Sequence, residues 1–285
     1  MTTVRLVCDS TADLEADFRL AHDVTVVPLK VLFGDEVFED GVDLTATQFY
    51  ERMRHSTVNP RTSQPTPAEF ATAFTQATRS GASVICTTIS ADLSGTFASA
   101  SQAAGALKDH DITVIDTRTA TVGHNAIVHA AVEAVERGAG REEVVATIRS
   151  VMSNTKLLFS VETLEYLRRG GRIGGARALI GSMLDIKPIL ELRDGIIEPV
   201  ARVRTFARVL DHLADAAVEA SARWKAIEVT IGHADRPDVA HSLADRIRAR
   251  AADADIRVID VGPVIGCHAG PGAAGIAFRP LHLGN

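Results

Sequence analysis

The stretch Ser90-Ala91-Asp92-Leu93-Ser94-Gly95-Thr96 follows a largely apolar run, Ser83-Val84-Ile85-Cys86-Thr87-Thr88-Ile89, and leads into a helical pattern over residues 97–107. Strand, small polar loop and helix start together aim free backbone N–H groups and hydroxyls at one point. Such a point suits an anion. The loop lacks the Gly-spaced Lys-Ser/Thr of a polyphosphate cradle. A single carboxylate, met by Ser94 and the N–H groups near Gly95, fits it better. The commoner alternative is a plain helix cap, with Ser94 or Thr96 closing the helix start.

Two further segments carry side chains that suit an anion. Val261-Gly262-Pro263-Val264-Ile265-Gly266 runs into Cys267-His268-Ala269-Gly270-Pro271-Gly272. A loop so rich in Gly and Pro leaves little bulk around His268, which makes the imidazole available as a donor to a ligand. A tight turn with an incidental exposed His reads equally well. Arg61-Thr62-Ser63-Gln64-Pro65-Thr66-Pro67-Ala68-Glu69 precedes another helix. Thr66 and Glu69 stand at capping-box spacing with Pro67 at the first helical position, which leaves Thr62 and Ser63 without a capping role.

The elements that must hold these residues alternate in the first half. Strands are expected at 4–8, 25–32, 83–88 and 112–115, and helices at 45–55, 67–80, 96–107 and 126–137, with a small hairpin near Gly34. This alternation predicts a mainly parallel sheet covered on both faces, with ligands at the carboxyl ends of its strands. Asp9 and Asp116 fall at those ends, where loop capping is the simpler role for each. A helix over 141–154 leads to a domain boundary near 155, giving units at 1–155 and 156–285. The second half reads as α+β: short helices at 162–167 and 176–184, strands at 188–192 and 196–203 around Asp194-Gly195, then helix 206–223, strand 226–232, helix 237–251 and strand 255–261. The ligand then sits between the two units, with Ser94 on one side and His268 on the other.

Composition bounds the function. The chain has 285 residues, long for one domain and comfortable for two. Its formal charge of −6 argues against an extended nucleic-acid surface. Cys8, Cys86 and Cys267 form no CxxC pair, which points to a reducing cytoplasm. The first residues carry no signal-peptide pattern, and the apolar stretch 24–33 is too short for a membrane span. The histidines show no metal-ligand spacing, so no metal is expected.

Taken in order, Thr62-Ser63-Gln64-Pro65, Leu93-Ser94-Gly95-Thr96, Gly170-Gly171-Arg172-Ile173 and His268-Ala269-Gly270-Pro271-Gly272 resemble the signature set of the DegV family. Asp9-Ser10-Thr11-Ala12-Asp13-Leu14 and Asp185-Ile186-Lys187-Pro188-Ile189-Leu190 add to it. These are bacterial fatty-acid-binding proteins, some of which serve as the acyl-carrying subunit of fatty acid kinase. The resemblance implies an N-terminal α/β/α domain with a mainly parallel sheet, and a C-terminal α+β domain. It also implies a non-catalytic carrier with no cofactor, whose ligand is a long-chain fatty acid and whose partner is the kinase catalytic subunit. Carried over residue by residue, the carboxylate falls to Thr62, Ser94 and His268, with Ser63 and Gly95 beside them. Arg172 and Arg204 fall to the kinase or the acyl phosphate. The chain departs from the pattern after Arg204, where Phe206, Ala207 and Arg208 stand in place of adjacent lysines. It also has Asn125 where a glycine is usual and Ala91 in place of a common serine.

The acyl chain needs a dry tunnel. Leu179, Ile180, Met183, Leu184, Ile186, Ile189 and Leu190 are the candidates, although at such spacing they serve equally as ordinary core. A competing enzyme reading takes Ser94 as nucleophile and His268 as base. It lacks both the Gly-x-Ser-x-Gly elbow and a recognisable acidic third member.

Overall fold

The structure of the chain, a computed structural model, describes residues 3–79, 81–182 and 186–281. One sheet is four-stranded and wholly parallel, in the order β2 (Thr25–Val27), β1 (Val4–Asp9), β6 (Ser83–Thr88), β7 (Ile112–Asp116). Alternation along its strands divides the side chains between two cores. Val7, Val84 and Cys86 pack under α3 (Pro67–Ala77) and α4 (Thr96–Ala106), whereas Leu6, Cys8 and Ile85 pack under α5 (Thr121–Glu136) and α6 (Arg141–Asn154). Burial on both faces is why these strands read as continuous apolar runs. The short α1 (Ala16–Ala21) lies on the second side through Phe18.

A six-stranded mixed sheet is built from β10 (Ile196–Val203), β9 (Lys187–Arg193), β8 (Lys156–Ser160), β13 (Ala274–Pro280), β11 (Ile227–His233) and β12 (Asp255–Asp260), in that order. One face carries α8 (Phe206–Trp224) and α9 (Pro237–Arg248), through Val209, Leu213, Leu243 and Ile247. The other face receives α5, which thus lies between the two sheets. Residues 122–132 of α5 are all buried, which suits a helix that is small and apolar nearly all round.

A three-stranded antiparallel sheet, β4 (Glu36–Glu39), β3 (Lys30–Phe33), β5 (Arg61–Ser63), joins α2 (Ala46–His55), α7 (Glu165–Arg169) and α10 (Pro263–Ala269) around a further core. Leu29, Val31, Phe49 and Tyr50 meet Leu164, Leu167 and Val264 there, so the first half of the chain contributes to a core shared with the second.

Several expectations need correction. The strand expected at 25–32 is two strands in different sheets, because Pro28 has no N–H for a ladder and breaks the run. The helix expected from 126 begins at Thr121, and the helix expected at 162–167 spans Glu165–Arg169. The helix expected at 176–184 is a 3-10 stretch, Gly174–Ser182, opened by two glycines that favour α-helix poorly. Met183, Leu184 and Asp185 lie outside the described residues. The segment around His268 is a helix, with Gly262 before it and Pro263 at its first position. Strand β13, at the centre of its sheet, was hidden by its small residues Ala274, Gly275 and Ala277. The Thr66–Glu69 capping box and the Asp194-Gly195 hairpin form as expected, both turn residues having positive φ.

Candidate functional site

Thr62 sits mid-strand in β5, opposite Val31 of β3, and its side chain meets the last turn of α10. Its Oγ1 lies 2.8 Å from His268 Nε2. The other ring nitrogen, Nδ1, faces Gly170 and has no hydrogen-bond partner among the described residues. A Cβ on Gly170 would fall 2.1 Å from that atom, so the glycine creates the space the ring occupies. An imidazole with its proton on Nε2 leaves Nδ1 bare against Gly170 and donates to Thr62 Oγ1. The Thr62 hydroxyl then keeps its own proton for an anion. Burial, with the Arg172 charge behind it, lowers the His268 pKa to about 4, so the ring is neutral at pH 7.

Ser94 closes the loop after β6. Its Oγ is 2.8 Å from Thr96 Oγ1 and accepts the Thr96 N–H at 3.3 Å, which realises the capping role in a long bond. Gly95, the N-cap of α4, has no side chain to satisfy the helix start, and its own N–H has no partner among the described residues. Gln64 lies across Gly95 so closely that a Cβ there would be 2.6 Å from Gln64 Nε2. Ser63, next to Thr62 in the strand, is exposed and does not line the cavity, because alternation turns it to the other face.

Thr62, Ser94, His268 and Arg172 line a cavity whose other walls are mainly apolar, among them Leu29, Leu93, Val122, Phe159, Leu192 and Val264. Thr62, Arg172 and His268 also line an adjoining polar recess with Asn59, Arg61, Tyr166 and Arg169. The hydroxyl–imidazole pair therefore stands where a mainly apolar cavity meets a basic recess. Arg172 is half-buried and donates from Nε to Leu93 O at 2.9 Å and from Nη1 to Gly170 O at 2.5 Å. It has no carboxylate partner among the described residues and lines both the cavity and the recess. Arg168 and Arg169 instead share Glu165 on their own helix, at 2.7 and 2.6 Å. Arg204 is exposed, just before α8, and lies outside both spaces.

The acyl-tunnel candidates are corrected. Leu179, Ile189 and Leu190 are fully buried core, Ile180 is exposed, and none of these, nor Ile186, lines the cavity. The walls come from both halves of the chain and are rich in small residues such as Ala120, Gly232, Ala273 and Gly275. Asp9 and Asp116 act as loop caps: Asp9 accepts from the Thr11 and Ile89 N–H groups, Asp116 from Ala91 and Arg118. Asn125 donates to the carbonyls of Ala12 and Asp13, a structural tie. Among the described residues Ser94 and His268 share no hydrogen bond, and no acid is hydrogen-bonded to the ring. Among the described residues no cluster suits a metal ion, and no helix is long and apolar enough to cross a membrane.

Comparison with known proteins follows this geometry. The model of the DegV family, described as an uncharacterised protein family, matches residues 3–281. A DegV domain-containing protein of Deinococcus radiodurans is 40% identical over 284 residues, covering 98% of this chain and 99% of its own. Among solved structures, a DegV family protein from Thermus thermophilus, described for its fatty acid binding, superposes with a TM-score of 0.93 at 34% identity, covering 98% of this chain and all of that one. DegV of Bacillus subtilis, described as a fatty acid binding protein, does so with a TM-score of 0.91 at 28% identity, over 98% of this chain and 99% of its own.

Proposed function

The chain belongs to the DegV family, and on that premise we propose that it is a carrier of a long-chain fatty acid that offers the bound carboxylate to a fatty acid kinase. In this reading Thr62, Ser94 and His268 hold the carboxylate, Thr62 and Ser94 by donating to it and His268 by fixing the Thr62 hydroxyl from Nε2, with the free N–H of Gly95 beside them. The chain from 1 to 155 supplies the first two of these side chains, and 156–285 supplies the third. The observation that carries the reading is the placement of the Thr62–His268 pair where a mainly apolar cavity meets a basic recess. A neutral imidazole costs less to keep there than a cation, and still donates.

The acyl chain supplies the affinity and the head supplies the orientation. Burying an alkyl chain at ~0.8 kcal/mol per methylene gives on the order of 10 kcal/mol gross. Ordering and association offset a good part of it. The carboxylate then faces the recess lined by Arg61, Arg169 and Arg172, a setting that favours a phosphoryl donor approaching from outside. The relatives described as fatty-acid-binding support the ligand class.

Mass spectrometry of an organic extract of the purified protein tests this reading, together with uptake of added oleate or stearate by delipidated protein. A stoichiometric fatty acid is the expected result. A protein that carries none and takes up none would overturn the proposal. In the same preparation p-nitrophenyl acyl esters are expected to show no turnover that depends on Ser94.

A further inference from the structure

The turn between β9 and β10 reaches across to the half of the chain that bears Ser94. Ser90 Oγ donates to Gly195 O at 3.0 Å, and Arg118 Nη2 donates to Asp194 O. The same Nη2 lies 2.9 Å from Asp92 Oδ2, and Asp116 is 3.7 Å from Nη1. Contact is so close that a Cβ on Gly195 would stand 2.5 Å from Ser90 Oγ and 2.9 Å from Asp92 Oδ2. Asp194 and Gly195 both have positive φ, which presents their carbonyls to the facing loop.

The residues around this contact are cavity walls on both sides. Ile89 and Leu93 flank Ser90 and Asp92, Ala120 follows Arg118, and Leu192 and Ile197 flank the turn. Leu93 is tied a second time across the same seam, by Arg172 Nε on its carbonyl. Arg118 and Asp92 are both substantially exposed, at 46% and 41% of their side-chain surface. Contacts between exposed charges hold weakly and exchange readily with water. The apolar side chains just inside, Leu192 and Ile197 among them, already pack against the neighbouring core, and an occupant of the cavity gives them further contacts.

We propose that this contact is a latch on the acyl cavity: the β9–β10 hairpin parts from the Ser90–Asp92 loop and Arg118 to let the alkyl chain in or out, and a bound chain holds it shut. The inference rests on the fatty-acid reading above, and locates the route that ligand takes. Closure and binding share the same apolar contacts, so each favours the other. Arg118 is a positioning residue here and does not touch the ligand.

The test is release of cis-parinaric acid, a fluorescent conjugated fatty acid, from loaded protein to phosphatidylcholine vesicles, in the parent and in Arg118→Ala, Arg118→Lys and Ser90→Ala. Arg118→Ala is expected to speed release by about fivefold or more, with Arg118→Lys between it and the parent, because losing a charge-assisted hydrogen bond is an effect of that order. Hydrogen exchange of unliganded protein is expected to rise at residues 190–198 in Arg118→Ala and at few other places. Unchanged release and unchanged exchange in a folded Arg118→Ala protein would overturn the latch while leaving the ligand assignment standing. A parent that binds no parinaric acid, yet whose hairpin still loosens in Arg118→Ala, would overturn the ligand assignment and with it the latch as an acyl gate.

Discussion

Gly170 does more for the site than its lack of a side chain suggests. Its φ of −71° suits any residue, so the backbone does not demand glycine. The His268 ring does, through Nδ1. Gly170→Ala therefore tests head-group geometry without removing any donor. The protein is expected to fold, and its affinity for oleate to fall by about tenfold or more as the ring is pushed off Thr62. Ser94→Ala and Thr62→Val, which remove donors directly, are each expected to cost on the order of 1.5–3 kcal/mol of binding. Titration calorimetry of delipidated protein checks both, and a Gly170→Ala protein that binds like the parent would show that the ring does not position the carboxylate.

At the scale of elements, α10 is the vulnerable part. It has only seven residues, too few to hold together alone; it carries His268 near one end, and two aspartates from elsewhere in the chain, Asp13 and Asp40, meet the other. Asp13 accepts from Gly262 N at 3.1 Å and from Thr121 Oγ1 at 2.6 Å, while Asp40 accepts from Ser10 Oγ at 2.7 Å. Burial pushes the Asp40 carboxyl up to about 7, against the pull of hydrogen bonds from Ser10 and the Val264 N–H. Burial likewise raises Asp13, with Asp40 adding to it. A carboxyl raised in the folded state contributes stability that is complete below its unfolded pKa, near 4, and is lost as pH rises through about 7. Between pH 5 and pH 8 the parent is thus expected to lose about 2–3 kcal/mol relative to Asp40→Asn. The lowered histidines His129 and His268 titrate in both proteins and cancel in the comparison. Urea unfolding of the two proteins at both pH values checks it, and parallel pH profiles would rule out Asp40 as the source.

For the molecule as a whole, α5 is held between the sheets partly by charge. Arg279 of β13, 2% exposed, pairs with Glu228 of β11 at 2.9 Å and with Glu133 of α5 at 3.0 Å, and Arg257 lies 3.4 Å from Glu228. Breaking a buried pair costs more than the pair gains, because the remaining charge is left uncompensated. Glu228→Gln is expected to destabilise the fold by about 3–5 kcal/mol in chemical unfolding. Oleate affinity of the folded protein should stay unchanged; a loss under 1 kcal/mol would mean that water already serves these groups. Arg204 belongs to this scale too, through the proposed kinase. Arg204→Glu should leave acyl content and thermal stability near the parent's, yet sharply reduce acyl phosphate formation with a cognate kinase and ATP. Equal acyl phosphate yields would make Arg204 ordinary surface charge.

Local chemistry made much of this protein readable without coordinates. Apolar runs bounded by polar loops located the parallel strands, Thr66 and Glu69 located a helix start, and Asp194-Gly195 located a hairpin, because each signal acts between near neighbours in the chain. The same holds for the separate motifs around Thr62, Ser94 and His268. Elements made of small or interrupted residues escaped: β13 for its glycine and alanines, β5 for its shortness, and α10 for the glycines and prolines around it. These form only because partners distant in sequence bury them. The cavity walls were misjudged for a related reason. Leu179, Ile189 and Leu190 look like tunnel lining by hydrophobicity alone, but which face of a strand meets a core and which meets a cavity depends on how the sheets pack. Only the tertiary structure set His268 against Gly170, brought Arg172 into the cavity wall and laid the β9–β10 turn on Arg118, since each contact joins residues dozens to hundreds of positions apart, or depends on elements that are.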